Sequence, residues 1–575
     1  MHRIDDHQTE TFFDGWGYIG PKRRKLLERS WAGVFRAYLL EELPLAEIQS
    51  RFHDSLGRPS KELCAMLGVL VLQQLFDTTD EQTMEAFAFH TDWQYALDIR
   101  DQSDASMYMC ERTLREYRRM AVESGIDELL FRTLTDKLLK AFKVPTGKQR
   151  LDSTHLLSNM KRLSRLDVLV STIEKFLKEL RRVHPGIWKK QMDAEWAARY
   201  VDDRKKGCFS RVSGEEVKKT LPSVAEDLLV LVRTFETHPP VKRMESFRWL
   251  QRVLDEQCEV RGEAAEETVE LKEPKAISGA SLQNPSDPDA TYDGHKGQGY
   301  QAQIMETYSD EEDSPAPNLI TYVKVERAHC SDSEAALPAI RETQERGCAP
   351  KELLVDTAYG SDENVQEAAQ EGTELIAPTK GKPKKKDERL VLDDFETDAS
   401  GEIVSCPAGE RPKKTQISDK GVYSAKFDAG KCRRCEFREY CEVGRGETGY
   451  RLQYTPKQLR LAKRRVAEES REFREKYRWR SGIEATNAQL KRVMRIGRLR
   501  VRRLARVRHV VVLKALGWNI RQAVRAVKAR IFVAFQRKTV WKRVGSNRLS
   551  RIHPVAGSTG VSVQDPTRVS LFLAA

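Results

Sequence analysis

The stretch between Gln149 and Pro378 constrains the fold most, because its strand-like runs are few, short and unevenly spaced. LDSTHLL, which carries Asp152, reads as a short strand. From about Met160 to Glu273 the chain is charged and helical in pattern, with LVSTIEKFLKELRRV and SVAEDLLVLVRTFETH amphipathic at helical spacing. Strand signals return in GQGYQAQIMETYS and NLITYVKVERA, joined by the acidic, proline-containing DEEDSPAP. A helix (SDSEAALPAIRETQERG), a buried strand (KELLVDTAY), a second helix (SDENVQEAAQEG) and the strand TELIAP follow. A strand, a long insertion, a hairpin and then alternating helices and strands predict a mixed α/β sheet carrying a helical insertion.

Around that core the texture differs. Residues 1–145 show no clean strand alternation. LGRPSKEL opens the apolar run LCAMLGVLVLQQLF, and DTTDEQTMEAFAF starts another helix with capping residues. SMYMCERTLREYRRMAVESG places Arg112, Arg115, Arg118 and Arg119 at helix-like spacing, so this head suits a helical DNA-binding domain of helix-turn-helix type. The sheet domain with its insertion (about 160–273) occupies 146–380. A lysine-rich linker, TKGKPKKKDER, leads into a cysteine-containing segment, 381–450, and helices close the domain over 451–530. Residues 531–575 read as a basic, flexible tail.

Charge narrows the partner. The net charge of +13 favours a polyanion, and from Ala485 to Gln564 there is no Asp or Glu. Such a stretch repels itself without a counter-charge, which predicts nucleic-acid contact through residues such as Arg498, Arg502 and Arg506. No apolar run approaches the roughly 18 residues that span a bilayer. The start, MHRIDDHQTETFFDGWGY, lacks a basic-then-apolar secretory pattern. A cytoplasmic, nucleoid-associated protein is expected, so the ten cysteines read as thiols or metal ligands rather than disulfides.

Three carboxylates stand out. Asp152 lies on the first strand. Asp356 ends the apolar run LLV, before the turn-forming TAYGS, where α/β sheets place ligand sites. Glu484 belongs to Tyr477-x2-Arg480-x3-Glu484-x6-Lys491; on an unbroken helix these four positions fall within an arc of about 60°. A lone Asp at a strand end is more often a cap, and a Tyr, Arg, Glu, Lys face is more often solvated with i,i+4 pairs.

Order and context decide between those readings. DSTH around Asp152, DTAYGS around Asp356 and the helix around Glu484 resemble the three acidic motifs of DDE insertion-sequence transposases, and the helix is similar to their YREK signature. DPDATYDGHKGQGYQAQIMET resembles the second-strand region of that family, and the likeness runs from about Leu151 to Ala523. It implies a ribonuclease-H-like catalytic domain that binds terminal inverted repeats in double-stranded DNA, cleaves them and joins them to target DNA, as at least a homodimer. It further implies that Asp152, Asp356 and Glu484 hold two Mg²⁺ or Mn²⁺ ions, with Arg480 and Lys491 gripping phosphates and Tyr477 meeting a phosphate or a displaced base. Two hard cations about 3.5–4 Å apart activate the attacking oxygen and stabilise the leaving one. A metal-dependent nuclease without strand transfer, or a non-catalytic DNA-binding regulator, would share parts of this pattern.

The second constellation is Cys406 with Cys432-x2-Cys435-x5-Cys441. Two thiols in CRRC and two more nearby fit a tetrahedral structural zinc site closing a unit with little core of its own, with an iron–sulfur cluster or four reduced thiols as the other readings. Cys64, Cys110, Cys208, Cys258, Cys330 and Cys348 are scattered and read as core residues. His155, His329 and Cys330 read as packing neighbours rather than ligands.

Overall fold

The computed structural model describes residues 2–549 except 8–13, 54–55, 58, 193, 202–213, 263–265, 312–313, 381–388 and 447–448, with side chains described to Ile531. Most of the lysine-rich linker, Arg58, Cys208 and the tail from 550 lie outside the described residues.

The head is built on α1 (Leu63–Phe76), which is apolar all round and correspondingly buried on every side. Each buried leucine in it contributes about 1.5–3 kcal/mol. The next helix, Asp80–Phe89, begins with the expected capping box, Thr79 with Gln82. Amphipathic α2 (Glu111–Ser124) and α3 (Ile126–Phe142) complete the layer. Of the arginines of α2, Arg112, Arg115 and Arg119 are exposed and Arg118 is partly buried. Arg118 turns inward to Asp80 at 2.5 Å and Gln73, while Arg115 pairs with Glu111 and Arg119 with Glu116 and Glu123.

Strand β1 (Lys148–Leu156) leaves the head and enters a mixed sheet. The insertion follows as α4 (Arg165–Val183), α5 (Glu215–Phe235) and α6 (Glu245–Gln257), whose apolar stripes meet in one cluster centred on Phe176, Phe235 and Phe247. A hairpin, Cys258–Arg261 with Thr268–Leu271, ends it. The sheet resumes with β2 (Thr291–Asp293), β3 (Gly297–Thr307), β4 (Ile320–Arg327), β5 (Glu352–Leu354) and β6 (Glu374–Ile376). The order is β4-β3-β1-β5-β6, with β2 extending the β4 edge of β3. β3 is antiparallel to β1 and β4, and β5 is parallel to β1 and β6.

The cysteine segment forms an antiparallel sheet of Lys414–Ile417, Tyr423–Phe427, Gly449–Tyr454 and Gly444–Gly446 over its own small core. The chain then closes through α7 (Arg471–Tyr477), a 3₁₀ turn (Arg478–Ser481), α8 (Gly482–Arg492) and α9 (Leu504–Leu549). Two expectations change here. The Tyr477–Lys491 face is not one helix, because the tighter 3₁₀ turn interrupts it. Helix α9 continues well past residue 531, where a loose tail was expected.

Residues Met1–Arg525 form one compact unit, and Ala526–Ala575 another. The first unit therefore fuses segments that the sequence divides into head, sheet and closing helices. Asn519 on α9 explains how: its amide donates to Thr135 of α3 at 3.1 Å and to the Ile320 carbonyl of β4 at 2.8 Å, and accepts from the Ile320 N–H at 2.8 Å. Nearby, buried Lys514 donates to Asp77 of the head and to the Met494 carbonyl, both at 2.7 Å. Gly517 lets α9 approach so closely that a Cβ there would lie 2.9 Å from Met494 and 3.0 Å from the Leu75 backbone.

Candidate active site

Strand register places the first two acids level with each other. Arg150 on β1 pairs with Leu354 on β5, and pairing between these parallel strands stops there. Asp152 and Asp356 each lie two residues beyond that last pair: Asp356 follows the carboxyl end of β5, where a sheet opens to its loops, and Asp152 sits midway along β1, level with it and still paired with Ile304 of β3. Glu484 arrives from the first turn of α8.

Arg480 joins all three. Its Nη2 lies 3.2 Å from Asp152 Oδ1 and 3.8 Å from Asp356 Oδ2, and its Nη1 donates to Glu484 Oε1. Asn487, one turn beyond Glu484, donates to Asp152 Oδ2 at 3.2 Å. Side-chain exposures of 16% for Asp152 and 15% for Arg480, against 52% for Asp356 and 60% for Glu484, make the first pair the floor of the site and the other two its rim.

The electrostatics follow from that depth. Burial pushes the Asp152 carboxyl above the usual carboxylate range, Asp356 and Asp332 add to the effect, and Arg480 and the Ser153 N–H oppose it. Burial works against the Arg480 charge, yet Asp152 and Asp356 outweigh it and raise its pKa. Burial lowers the Lys491 ammonium, Lys296 lowers it further, and Asp152 supports it. The site is thus a partly desolvated cluster of acids with one guanidinium among them and two lysines beside it.

Hard oxygen donors of this kind suit a divalent cation, and the carboxamide of Asn487 adds a buried Oδ1 with no hydrogen-bond partner among the described residues. Arg480 already occupies the cationic position between the acids.

A buried ion pair fixes α8 above the sheet. Arg150 and Glu306, on adjacent strands, pair at 2.7 Å with side chains 8% and 1% exposed. Thr486 of α8 donates to both Glu306 oxygens, and Arg150 Nη1 donates to the Trp479 carbonyl in the 3₁₀ turn. A third group lies on the neighbouring residue of β1: Lys296 donates to Ser153 at 2.9 Å and Ser153 to Asp332 at 3.0 Å. Gln303 donates to Asp332, and Tyr359 to Gln303. The chain of bonds ends three residues after Asp356. None of these residues was singled out in the sequence; Arg150 and Glu306 lie in strands already rich in polar residues, KQRLDSTHL and GQGYQAQIMET, so nothing in their own segments marks them.

Other site residues fall as follows. Tyr477 is half-buried, stacks on Phe473 and donates to the Val355 carbonyl at 3.1 Å, so its hydroxyl is engaged in holding the strand end before Asp356. Burial raises that phenol to about 12. Arg498, Arg502 and Arg506 are exposed; Arg502 donates to the Asn159 carbonyl, and Arg498 and Arg506 have no acidic partner among the described residues. The acid-free run is nevertheless partly neutralised from outside itself. Arg495 and Arg500 pair with Asp77, Arg503 with Glu245, and Arg508 with Asp127 and Glu128.

In the cysteine segment, Cys406, Cys432 and Cys441 pack against the small core, and Cys435 is also half-buried. Burial raises the Cys432 thiol to about 11, with Cys406, Cys441 and Cys435 adding to it, so the four share one neighbourhood. Of the scattered cysteines, Cys64, Cys258 and Cys348 are buried as expected, whereas Cys110 is exposed at the start of α2. His155 bonds the Gln298 carbonyl and His329 bonds Thr291, both packing roles.

Residues 405–524 match the family described as Transposase DDE domain, and residues 30–118 match Transposase domain (DUF772). The first match contains Arg480, Glu484 and the four clustered cysteines; Asp152 and Asp356 lie outside both. No curated protein matches the chain. Among solved structures, one described as the cryo-EM structure of piggyBac transposase synaptic complex with hairpin DNA is similar over 94% of this chain and 88% of its own, at 10% identity. Its TM-score of 0.27 is too low to carry an argument.

Proposed function

As a DDE-type insertion-sequence transposase, an enzyme that cuts DNA and transfers the cut strand, this chain needs three acids at one point, and we propose that they are Asp152, Asp356 and Glu484. The observation that carries the assignment is Arg480: three carboxylates far apart in sequence lie within reach of one guanidinium.

The acids would hold Mg²⁺ or Mn²⁺, which supply activation of the attacking oxygen and stabilisation of the leaving one. Arg480 neutralises the acids while no cation is held, and then turns its planar fork to the phosphate. Asn487 orients Asp152. The Arg150–Glu306–Thr486 network keeps Glu484 at a fixed height over the strand ends, which matters because catalytic groups displaced by about an ångström lose much of their effect. Lys491 and Lys296 flank the site as phosphate contacts. Tyr477 serves by holding the strand end that carries Asp356.

The β4-β3-β1-β5-β6 order, with one antiparallel and one parallel neighbour for β1, supports the ribonuclease-H-like reading. The match of the head to a transposase domain is consistent with its acting in the same reaction, where it would bind the terminal repeats, and catalysis on paired ends calls for a homodimer on double-stranded DNA. Zinc would draw Cys406, Cys432, Cys435 and Cys441 together and close the segment around its small core.

Asp152→Asn, Asp356→Asn and Glu484→Gln test the triad. Each keeps shape and removes charge, so cleavage in Mg²⁺ should be abolished while binding to element ends persists. Near wild-type cleavage by any of them removes that residue from the triad. A joining assay separates strand transfer from simple nuclease action.

A further inference from the structure

Among the described residues, one set of histidine, cysteine and carboxylate ligand atoms lies within 4.8 Å of one another, and it is neither the carboxylate triad nor the four clustered cysteines. It consists of His7, Glu62 and Cys64. His7 belongs to the amino-terminal arm, and the other two stand at the start of α1.

Each group is held in a ligating attitude by contacts that leave one donor atom facing the others. Glu62 caps α1, accepting from the Cys64 N–H at 3.0 Å and the Ala65 N–H at 2.5 Å, so its carboxylate is fixed in place. Cys64 is 2% exposed. Asp98 is saturated by Arg36 and Arg100, each at 2.7 Å, and by the Trp16 indole N–H at 3.0 Å. Its Oδ2 also meets His7 Nδ1 at 3.3 Å. An N–H on Nδ1 directed at Asp98 leaves the Nε2 lone pair pointing the other way. Among the described residues Nε2 is buried without a hydrogen-bond partner within bonding distance, and it faces Glu62 Oε2 at 3.8 Å.

That separation is too long for a hydrogen bond. It suits two ligands that share one small cation. An imidazole lone pair facing a carboxylate with nothing between them would be repulsive. An imidazole whose far nitrogen is fixed by a carboxylate is also the common arrangement of a metal-bound histidine. The adjoining cavity of about 30 Å³, lined in part by Asp5, Lys61 and Ser106, has room for one water as a fourth ligand.

The geometry points to a zinc-type metal site formed by His7, Glu62 and Cys64, which pins the amino-terminal arm to the first turn of α1. Nitrogen, oxygen and thiolate ligands suit zinc, and three protein ligands with a water complete its usual four. The thiol that now donates to the Leu40 carbonyl would give up that proton on binding. The rival occupant is a proton on Nε2, which would make His7 an imidazolium between two carboxylates. The site is independent of the catalytic assignment and of the clustered cysteines.

The test uses the full-length chain, purified with zinc present, as wild type, His7→Gln and Cys64→Ser. Elemental analysis should show each variant about one zinc per chain below wild type, since all three retain the clustered cysteines. Reconstitution with Co²⁺ gives a second readout: the wild-type minus Cys64→Ser difference spectrum should contain a thiolate-to-cobalt charge-transfer band. Chelation should raise amide exchange over residues 2–7 in the wild type and leave Cys64→Ser unchanged. Equal zinc in all three proteins, or no thiolate band in the difference spectrum, overturns the site and leaves His7 as an imidazolium. Circular dichroism on each variant identifies one that has failed to fold, and cobalt titration of the Cys432→Ser with Cys435→Ser double variant, which keeps His7, Glu62 and Cys64, still decides whether a thiolate site outside the clustered cysteines exists.

Discussion

A Cβ on Gly482 would lie 1.9 Å from Nη1 of Arg150, so the start of the helix that carries Glu484 is open to glycine alone while the arginine stays in place. The guanidinium cannot simply move aside, because Glu306 and the Trp479 carbonyl hold it. Gly482→Ala should therefore destabilise the fold although alanine is the better helix former. Disrupting a buried ion pair costs about 3–5 kcal/mol, and the propensity gain returns about 1 kcal/mol. A loss of about 2–4 kcal/mol in denaturant unfolding is expected, together with loss of cleavage. An unchanged midpoint would show that Arg150 is not pinned.

Asp152 carries a stability cost that can be measured without any DNA. Its folded pKa lies above the unfolded value, chiefly through burial. The stability this contributes is present below the unfolded pKa, about 3.9, and is lost as pH rises through the folded value. At pH 7 in chelator, Asp152→Asn should therefore unfold at a higher denaturant concentration than wild type, and the gap should close as pH falls toward about 4. Added Mg²⁺ should stabilise wild type more than the variant. A variant less stable than wild type at pH 7 in chelator would show that Arg480 and Asn487 more than compensate burial.

Lys296 and Asp332 should affect cleavage more than folding. Lys296→Ala removes a cation beside Lys491 and Asp152 and should slow cleavage at saturating DNA, with Lys296→Arg restoring part of the rate. Asp332→Asn should resemble it more mildly, because Ser153 and Gln303 can still bond the amide. If Lys296→Ala cleaves at the wild-type rate, the Lys296–Ser153–Asp332 chain only braces the strand.

The basic run divides into two classes. Arg498→Ala, Arg502→Ala and Arg506→Ala together should weaken binding to any duplex and flatten its salt dependence by about 0.9 in log–log slope for each phosphate left without its arginine. Arg495→Ala with Arg500→Ala should instead lower stability, since both pair with Asp77. Equal changes in salt slope for the two sets would show that no such division exists.

Much of the sheet was legible because its longer strands are bounded by turn-forming residues, and β1, β3 and β4 lie where LDSTHLL, GQGYQAQIMETYS and NLITYVKVERA place them. The helix face of Tyr477 to Lys491 was legible only in part. A steady 100° per residue presumes one unbroken α-helix, and the turn at Arg478–Ser481 is wound more tightly. Arg150, which bonds the Trp479 carbonyl within that turn, lies more than three hundred positions away and leaves no local mark. The same holds for the arginine run: counting acids along the sequence cannot reveal Asp77, Asp127 or Glu245 arriving from elsewhere. Reading Arg480 as a phosphate grip missed its contacts with all three acids, since spacing shows which residues share a face but not what faces them.

The joint at Asn519 has a consequence for the DNA. One side chain bonds the head through Thr135 and the sheet through Ile320, and it rides on the helix that follows the Glu484 segment. If, as proposed, the head grips an element end and the three acids cut it, a head and a site fastened in this way hold the two at a fixed spacing, as a ruler would. The number of base pairs between the sequence the head grips and the bond that is cut becomes a property of the protein. Inserting one base pair between them should then displace the cut by one position relative to the element end, keeping its distance from the gripped sequence.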